Sequence, residues 1–330
     1  MVGMKALVTA EFPRDGLDEL ASLGYEPVHA GWGVTREAMS SVELVAALAD
    51  VAVLICEVER VDADVLDAAP GIRLVASCRG NPTNVDLDAA AARGIAVLAT
   101  PGRNAISVAD FTMGLLLSHS RRIGRSERQL RDHGWMTEGD LPYFHFRGPE
   151  LDGRTLGLVG LGAIGRLVAE RARAFGMSVA AFDPFVPEAL EGVELVALDE
   201  LLVRSDVVSI HCPLTPETRG LLGARELELM RAEAILVNTG RAAVVDEDAL
   251  LQALRWRRIA GAALDVFWKE PLAADHPIRD LDNVTITPHI AGAADDVSRH
   301  HARMILDDIA RWQAGEPLQH AVVQPQGAST

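Results

Sequence analysis

The chain has 330 residues, 31 of them basic and 47 acidic, for a net charge of −16. Such a surface repels phosphate backbones and anionic lipid, and no run of basic residues offsets it, so a nucleic-acid or membrane-surface role is excluded. An apolar content of 49% against 24% charged describes a globular chain long enough for two domains, not a disordered one.

Met1 to Pro13 lacks a basic start followed by an apolar core, so no secretory leader is expected. No stretch approaches the roughly 20 apolar residues that cross a bilayer. From there, Lys5–Thr9, Val51–Cys56, Ile72–Ser77 and Ile95–Ala99 read as buried strands. Asp15–Leu23, Asp62–Ala68 and Val85–Arg93 carry helical spacing between them. This alternation predicts parallel β-α units with helices on both sheet faces. After the long helical stretch Ala105–Ile123 the rhythm resumes at Thr155–Val159, Ser178–Phe182, Val207–His211, Ile235–Asn238, Gly261–Leu264 and Val284–Ile286. A second long helix, Asp295–Trp312, closes the pattern. If both long helices cross between lobes, residues 1–103 and 293–330 form one discontinuous domain and residues 104–292 the other. The cysteines, Cys56, Cys78 and Cys212, are far apart with no Cys-x-x-Cys pair. Neither a disulfide framework nor a metal site is expected, and a reducing cytoplasm is the natural compartment.

Gly160-Leu161-Gly162-Ala163-Ile164-Gly165 matches G-x-G-x-x-G, between the strand Thr155–Val159 and the helical segment Ala163–Phe175. The first glycine permits the tight turn, the second admits a pyrophosphate to the backbone, and the third lets helix pack on strand. Ala163 and Ile164 then open a helix whose free amides and dipole attract that anion. The next strand ends in Asp183, roughly 20 residues on, where a carboxylate accepts ribose hydroxyls and repels a 2′-phosphate. These features predict a bound NAD.

Three segments follow strands of this second half: Asn238-Thr239-Gly240-Arg241, Leu264-Asp265 leading to Lys269-Glu270-Pro271, and Thr287-Pro288-His289-Ile290-Ala291-Gly292. Arginine grips a carboxylate bidentately, histidine moves a proton near neutral pH, and a carboxylate orients the histidine. With these stretches, Asn84-Val85-Asp86, Thr100-Pro101-Gly102 and His211-Cys212-Pro213-Leu214-Thr215, the sequence resembles the D-isomer-specific 2-hydroxyacid dehydrogenases over nearly its whole length. The resemblance implies two doubly wound parallel-sheet α/β domains, a Rossmann NAD-binding domain and a flavodoxin-like substrate domain. It implies that Arg241, Glu270 and His289 are catalytic, with His289 the general acid/base, and that Asp265, Thr215 and Thr239 help hold the dinucleotide. It also implies a homodimer built largely around the first long helix. Ala242 departs from the pattern, since many relatives have glycine there. The chain ends too soon after its last helix for the regulatory domain of some 3-phosphoglycerate dehydrogenases, so the short form is expected.

The expected reaction interconverts a 2-oxo acid and a D-2-hydroxy acid. The substrate loop is expected at Ser77–Asn84, where relatives present small residues and glycine such as Gly80. Arg79 adds a guanidinium there, fit for a second anionic group such as phosphate, phosphonate or carboxylate, or for a sugar acid, unless a nearby acid neutralises it. Formate dehydrogenase is disfavoured, having glutamine where Glu270 stands. Phosphite oxidation and an NAD-responsive corepressor-like binding protein remain the alternatives.

Overall fold

The computed structural model describes residues 4–135, 141–188 and 190–324. The extreme ends, on which the expectations about a leader and a further domain rest, lie partly outside them. The described strands are β1 (Met4–Val8), β2 (Tyr25–His29), β3 (Val51–Cys56), β4 (Leu74–Ser77), β5 (Ala96–Leu98), β6 (Thr155–Val159), β7 (Ser178–Phe182), β8 (Val193–Leu195), β9 (Val207–Ile210), β10 (Ile235–Asn238), β11 (Gly261–Leu264), β12 (Val284–Ile286) and β13 (Ala321–Val323). The chain divides into one compact unit of residues 1–104 and 295–330 and another of residues 105–294.

The first unit holds a sheet of order β13-β5-β4-β3-β1-β2, parallel except for β13. Successive strand residues serve opposite faces, because side chains alternate along a strand. Ala6, Val8, Val53, Ile55, Leu74 and Ala76 pack with Ile305 and Ile309 of the helix Val297–Ala314. Their neighbours Leu7, Leu54, Val75 and Val97 pack instead with Leu44, Val65 and Leu66. Asp62 and Asp86 cap their helices by accepting from Val65 and Ala89 N–H, which explains where those helices start.

The second unit has the order β12-β11-β10-β9-β6-β7-β8, all parallel. Strand order reverses between β6 and β9, the switch point beyond whose carboxyl ends open α/β sheets take ligands. One face packs Leu236, Ile210 and Leu264 on Leu250 and Leu254 of the helix Glu247–Arg255. The other packs Leu158, Val237 and Ala263 on Val168 of Ala163–Ala174 and on Met113 and Leu116 of Ala105–Ser120.

Edge strands β2, β8 and β13 depart from the sequence reading. Each is short or interrupted by polar residues: Pro27 and Glu26 sit in β2, and Glu194 in β8. An edge strand needs apolar residues on fewer contacts and tolerates proline, so its pattern carries little signal. Among the described residues no helix is long and apolar enough to cross a membrane, and no group of three or more His, Cys, Asp or Glu is placed to hold a metal.

Candidate active site

The glycine turn sits at the carboxyl end of β6. Gly160 adopts φ +100°, and a Cβ there would lie 2.5 Å from the Cys212 nitrogen. A Cβ on Gly165 would collide with the Gly160 carbonyl oxygen, so helix and turn touch through that glycine. Gly162 differs: it is the N-cap of Ala163–Ala174, and nothing stands within 4 Å of its missing side chain. Two glycines therefore shape the loop and one leaves its mouth open, the cradle a pyrophosphate requires. Asp183 follows β7 and accepts N–H bonds from Leu161 (2.8 Å) and Phe185 (3.0 Å), one on each carboxylate oxygen. Each oxygen keeps a lone pair for a hydroxyl. The residues present thus fit a dinucleotide.

Arg166 escaped the sequence reading. Its Nε donates to the Leu161 carbonyl at 3.0 Å, setting a guanidinium beside the glycine turn. The signal was available in the cation directly after the third glycine. Thr215 lies in the loop after β9, its N–H bonded to Thr218 Oγ1 at 2.8 Å. Thr239 is buried, its hydroxyl 2.8 Å from that of Thr112. Because Thr112 already donates to the Val108 carbonyl (2.7 Å), Thr239 is the donor, and this bond ties β10's end to the helix Ala105–Ser120.

Beyond β10, the Asn238 side chain bonds both Gly240 N–H and the Arg241 carbonyl, closing the turn that presents an exposed Arg241. Beyond β12, His289 sits at φ +56°, a backbone conformation uncommon for histidine. Asp265 holds that conformation. Its wholly buried carboxylate accepts from Thr287 Oγ1 (2.6 Å), Ile290 N–H (2.9 Å) and Ala291 N–H (2.7 Å). Asp265, expected to help hold the dinucleotide, anchors the histidine loop through these bonds. Asp265→Ala should cost about 2–3 kcal/mol of stability in a urea melt and lower turnover, since three donors lose their charged acceptor.

His289 Nδ1 stands 2.7 Å from Glu270 Oε2. Nδ1–H donates to this carboxylate, which leaves Nε2 on the far side of a half-exposed ring. The other carboxylate oxygen accepts Phe267 N–H at 3.0 Å. Trp268, bonded through Nε1 to the Val245 carbonyl at 2.7 Å, steadies the same loop. Desolvation pushes the Glu270 carboxyl up. The hydrogen bonds from His289 and Phe267, with the charges of His289 and Arg241, outweigh it and hold the group below 4.5. Glu270 and His289 are thus paired, with Arg241 near enough for its charge to be felt.

Three further histidines are otherwise engaged. Burial pushes His211 down to about 4, and its Nε2 meets Ser209 Oγ at 2.8 Å. In the first unit, His301 lies between Arg103 Nη1 (3.0 Å from Nδ1) and the Glu11 carbonyl (2.6 Å from Nε2). As arginine only donates, Nδ1 accepts and the ring is neutral with its proton on Nε2. His300 Nδ1 lies 3.0 Å from the Arg103 carbonyl. Burial, foremost, pushes the Cys212 thiol up to about 11, so it stays protonated.

Residues 113–291 match the family model described as D-isomer specific 2-hydroxyacid dehydrogenase, NAD binding domain. The chain belongs to that family. It is 38% identical to a glyoxylate reductase of Thermofilum pendens, over 96% of this chain and 93% of that one. It is 37% identical to a D-3-phosphoglycerate dehydrogenase of Archaeoglobus fulgidus over 98% of this chain, spanning 60% of that longer protein. Among solved structures, the TT0316 protein of Thermus thermophilus superposes with a TM-score of 0.81 at 40% identity, covering 97% of this chain and all of that one. The enzyme is an NAD-dependent D-2-hydroxyacid dehydrogenase.

The segment expected to form the substrate loop, Ser77–Asn84, belongs to the first unit and runs on from the end of β4. Arg79 is half-buried; its Nε donates to the Glu57 carbonyl at 2.6 Å and its Nη1 to Thr83 Oγ1 at 3.4 Å. Among the described residues no carboxylate pairs with it. Arg103, by contrast, pairs with Glu57 at 2.7 Å. Gly80 is exposed beside Arg79.

Proposed function

We propose that the enzyme reduces a 2-oxo acid bearing a second anionic group, with Arg241 as carboxylate clamp and His289 as general acid. NADH, when bound, supplies the hydride for C2. Arg241 would grip the substrate carboxylate bidentately and lower the energy of charge building on the carbonyl oxygen. His289 gives its Nε2 proton to that oxygen, and Glu270 steadies the ring through Nδ1. In the oxidising direction the same Nε2 takes the hydroxyl proton back. The observation that carries the reading is the 2.7 Å bond between His289 Nδ1 and Glu270, which leaves Nε2 for substrate. A screen of NADH oxidation over glyoxylate, pyruvate, phosphorylated and phosphono 2-oxo acids and sugar acids, with NAD reduction by phosphite alongside, tests it. No turnover on any 2-oxo acid would overturn it, and turnover on phosphite alone would favour the other oxidation.

The second anionic group is assigned to Arg79, a guanidinium fixed in direction by two neutral acceptors and paired with no carboxylate among the described residues. The two named relatives differ in this respect: one is named for a phosphorylated substrate and the other for glyoxylate. Arg79→Ala should raise KM for a phosphorylated or dicarboxylic 2-oxo acid about tenfold or more, the worth of one charge-assisted hydrogen bond. KM for pyruvate should hardly move. Equal changes on both would remove Arg79 from the substrate's second anion.

A homodimer is the assembly we infer. Ile123, Leu130, Trp135, Leu141, Tyr143 and Phe144 are 53–76% exposed within one short span of the second unit. So much apolar surface in one place marks a protein interface. Light scattering on the eluting peak should give about twice 35.4 kDa; the monomer mass would contradict the inference. Cys56 and Cys78 are buried free thiols, in keeping with the cytoplasm we infer.

A further inference from the structure

A cavity of about 620 Å³ opens at the end of the second unit's sheet opposite the catalytic groups. Its lining includes Arg154, just before β6, and Ile235 and Val284, the first residues of β10 and β12. Arg241 and His289 follow the carboxyl ends of those last two strands. The cavity is therefore separate from both the glycine turn and the histidine loop.

Five arginines line this space: Arg122, Arg125, Arg128, Arg154 and Arg257. Its carboxylates are Glu233 and Asp282. Arg257 takes Asp282 at 2.5 Å, and Arg154 lies 3.5 Å from Asp206. Arg125 reaches the Asp282 carbonyl at 3.0 Å. Among the described residues, no carboxylate pairs with Arg122, Arg125 or Arg128. In a chain of net charge −16, this is a local excess of cations whose repulsion folding alone does not relieve. His119 adds nothing to it: burial, then the charges of Arg122 and Arg125, push the ring down to about 4, and its Nδ1 meets Thr285 Oγ1 at 3.0 Å.

The helix Ile123–His133 presents two of these cations, Arg125 and Arg128, on one side. At 3.6 residues per turn, Arg125 and Arg128 lie opposite Ile123 and Leu130, which are seven residues apart and share a stripe. The apolar stripe offered above to a second copy and the two helix arginines of the cavity thus occupy different faces.

We propose that this cavity binds a small anion carrying two or more adjacent phosphate groups. Adjacent tetrahedral phosphates offer several O–P–O edges, each of which a planar guanidinium fork can grip bidentately. Ile235 and Val284 supply an apolar floor that neither adds nor removes charge.

Isothermal titration of inorganic pyrophosphate into the full-length, NADH-saturated enzyme tests the proposal, since NADH blocks binding at the glycine turn. Saturable binding below millimolar pyrophosphate is expected, weakened about tenfold or more by Arg128→Ala and less by Arg128→Lys, which keeps charge but loses the fork. Thermal melts of the variants, expected unchanged, separate loss of binding from loss of fold. No saturable binding would overturn the proposal, as would affinity indifferent to Arg122→Ala and Arg128→Ala. Variants that change the molecular mass in light scattering, with no binding in the parent, would assign the arginines to contact between copies instead.

Discussion

His289→Ala is expected to lower kcat by a factor on the order of 10²–10⁴ while NADH binds as before. The factor is that of a lost general acid. Without the Nε2 proton, hydride arriving at C2 would leave an alkoxide neutralised only by Arg241 and water. NADH affinity should survive because the glycine turn and Asp183 lie on β6 and β7, away from the loop after β12. Normal turnover with normal NADH binding would end the assignment. Glu270→Gln supplies the companion test. The parent carboxyl is held below 4.5, so its contribution is whole above pH 4.5 and is lost only as pH falls through that lower value. The gap in kcat/KM between parent and Glu270→Gln should then persist throughout the neutral and mildly acidic range. It should close only below pH 4.5, where the parent too loses its charge. A gap that closed near neutrality would mean that Glu270 works uncharged.

Much of this site can be read in the sequence because its chemistry is local. The glycine turn, the acid after β7 and the segments after β10, β11 and β12 each combine a buried apolar run with an unusual polar residue at its end. Such a combination is conspicuous in one dimension. The strands β3, β6, β7, β10 and β11 begin and end where apolar runs do, since a parallel strand covered on both faces must be apolar throughout. The edge strands β2, β8 and β13 satisfy weaker demands and leave weaker traces. Nor does spacing reveal what Asp265 does. Its partners at Thr287, Ile290 and Ala291 are more than 20 residues away, and only the pairing of β11 with β12 brings them together. The neutral acceptors of Arg79 are hidden for the same reason: Glu57 follows β3, and sheet pairing alone sets it against the loop after β4. The cation cavity is hidden too, because its arginines come from a helix, a strand approach and a loop far apart in sequence.

The three glycines of the turn should separate cleanly when substituted, and this contrast is the sharpest test of the dinucleotide site. Gly160→Ala drives a methyl to 2.5 Å from the Cys212 nitrogen and 2.7 Å from the His211 carbonyl carbon, both backbone atoms that no rotamer change can move. It also asks an L-residue to hold φ +100°. Overpacking and backbone strain together should cost about 2–5 kcal/mol, visible as a lower urea midpoint before any cofactor is added. Gly165→Ala runs into the Gly160 carbonyl oxygen and should lose stability in the same way. Gly162→Val has a different expected outcome. Its φ of −75° suits any residue and nothing lies within 4 Å of the new side chain, so the urea midpoint should stay near that of the parent. The branched side chain instead fills the opening through which a pyrophosphate must approach the helix N-terminus. NADH affinity, followed by fluorescence titration, should fall about tenfold or more, the loss of a single close contact. If Gly162→Val bound NADH as tightly as the parent, the dinucleotide would not lie over this turn, and the roles assigned to Arg241 and His289 would lose the ring that they are meant to face.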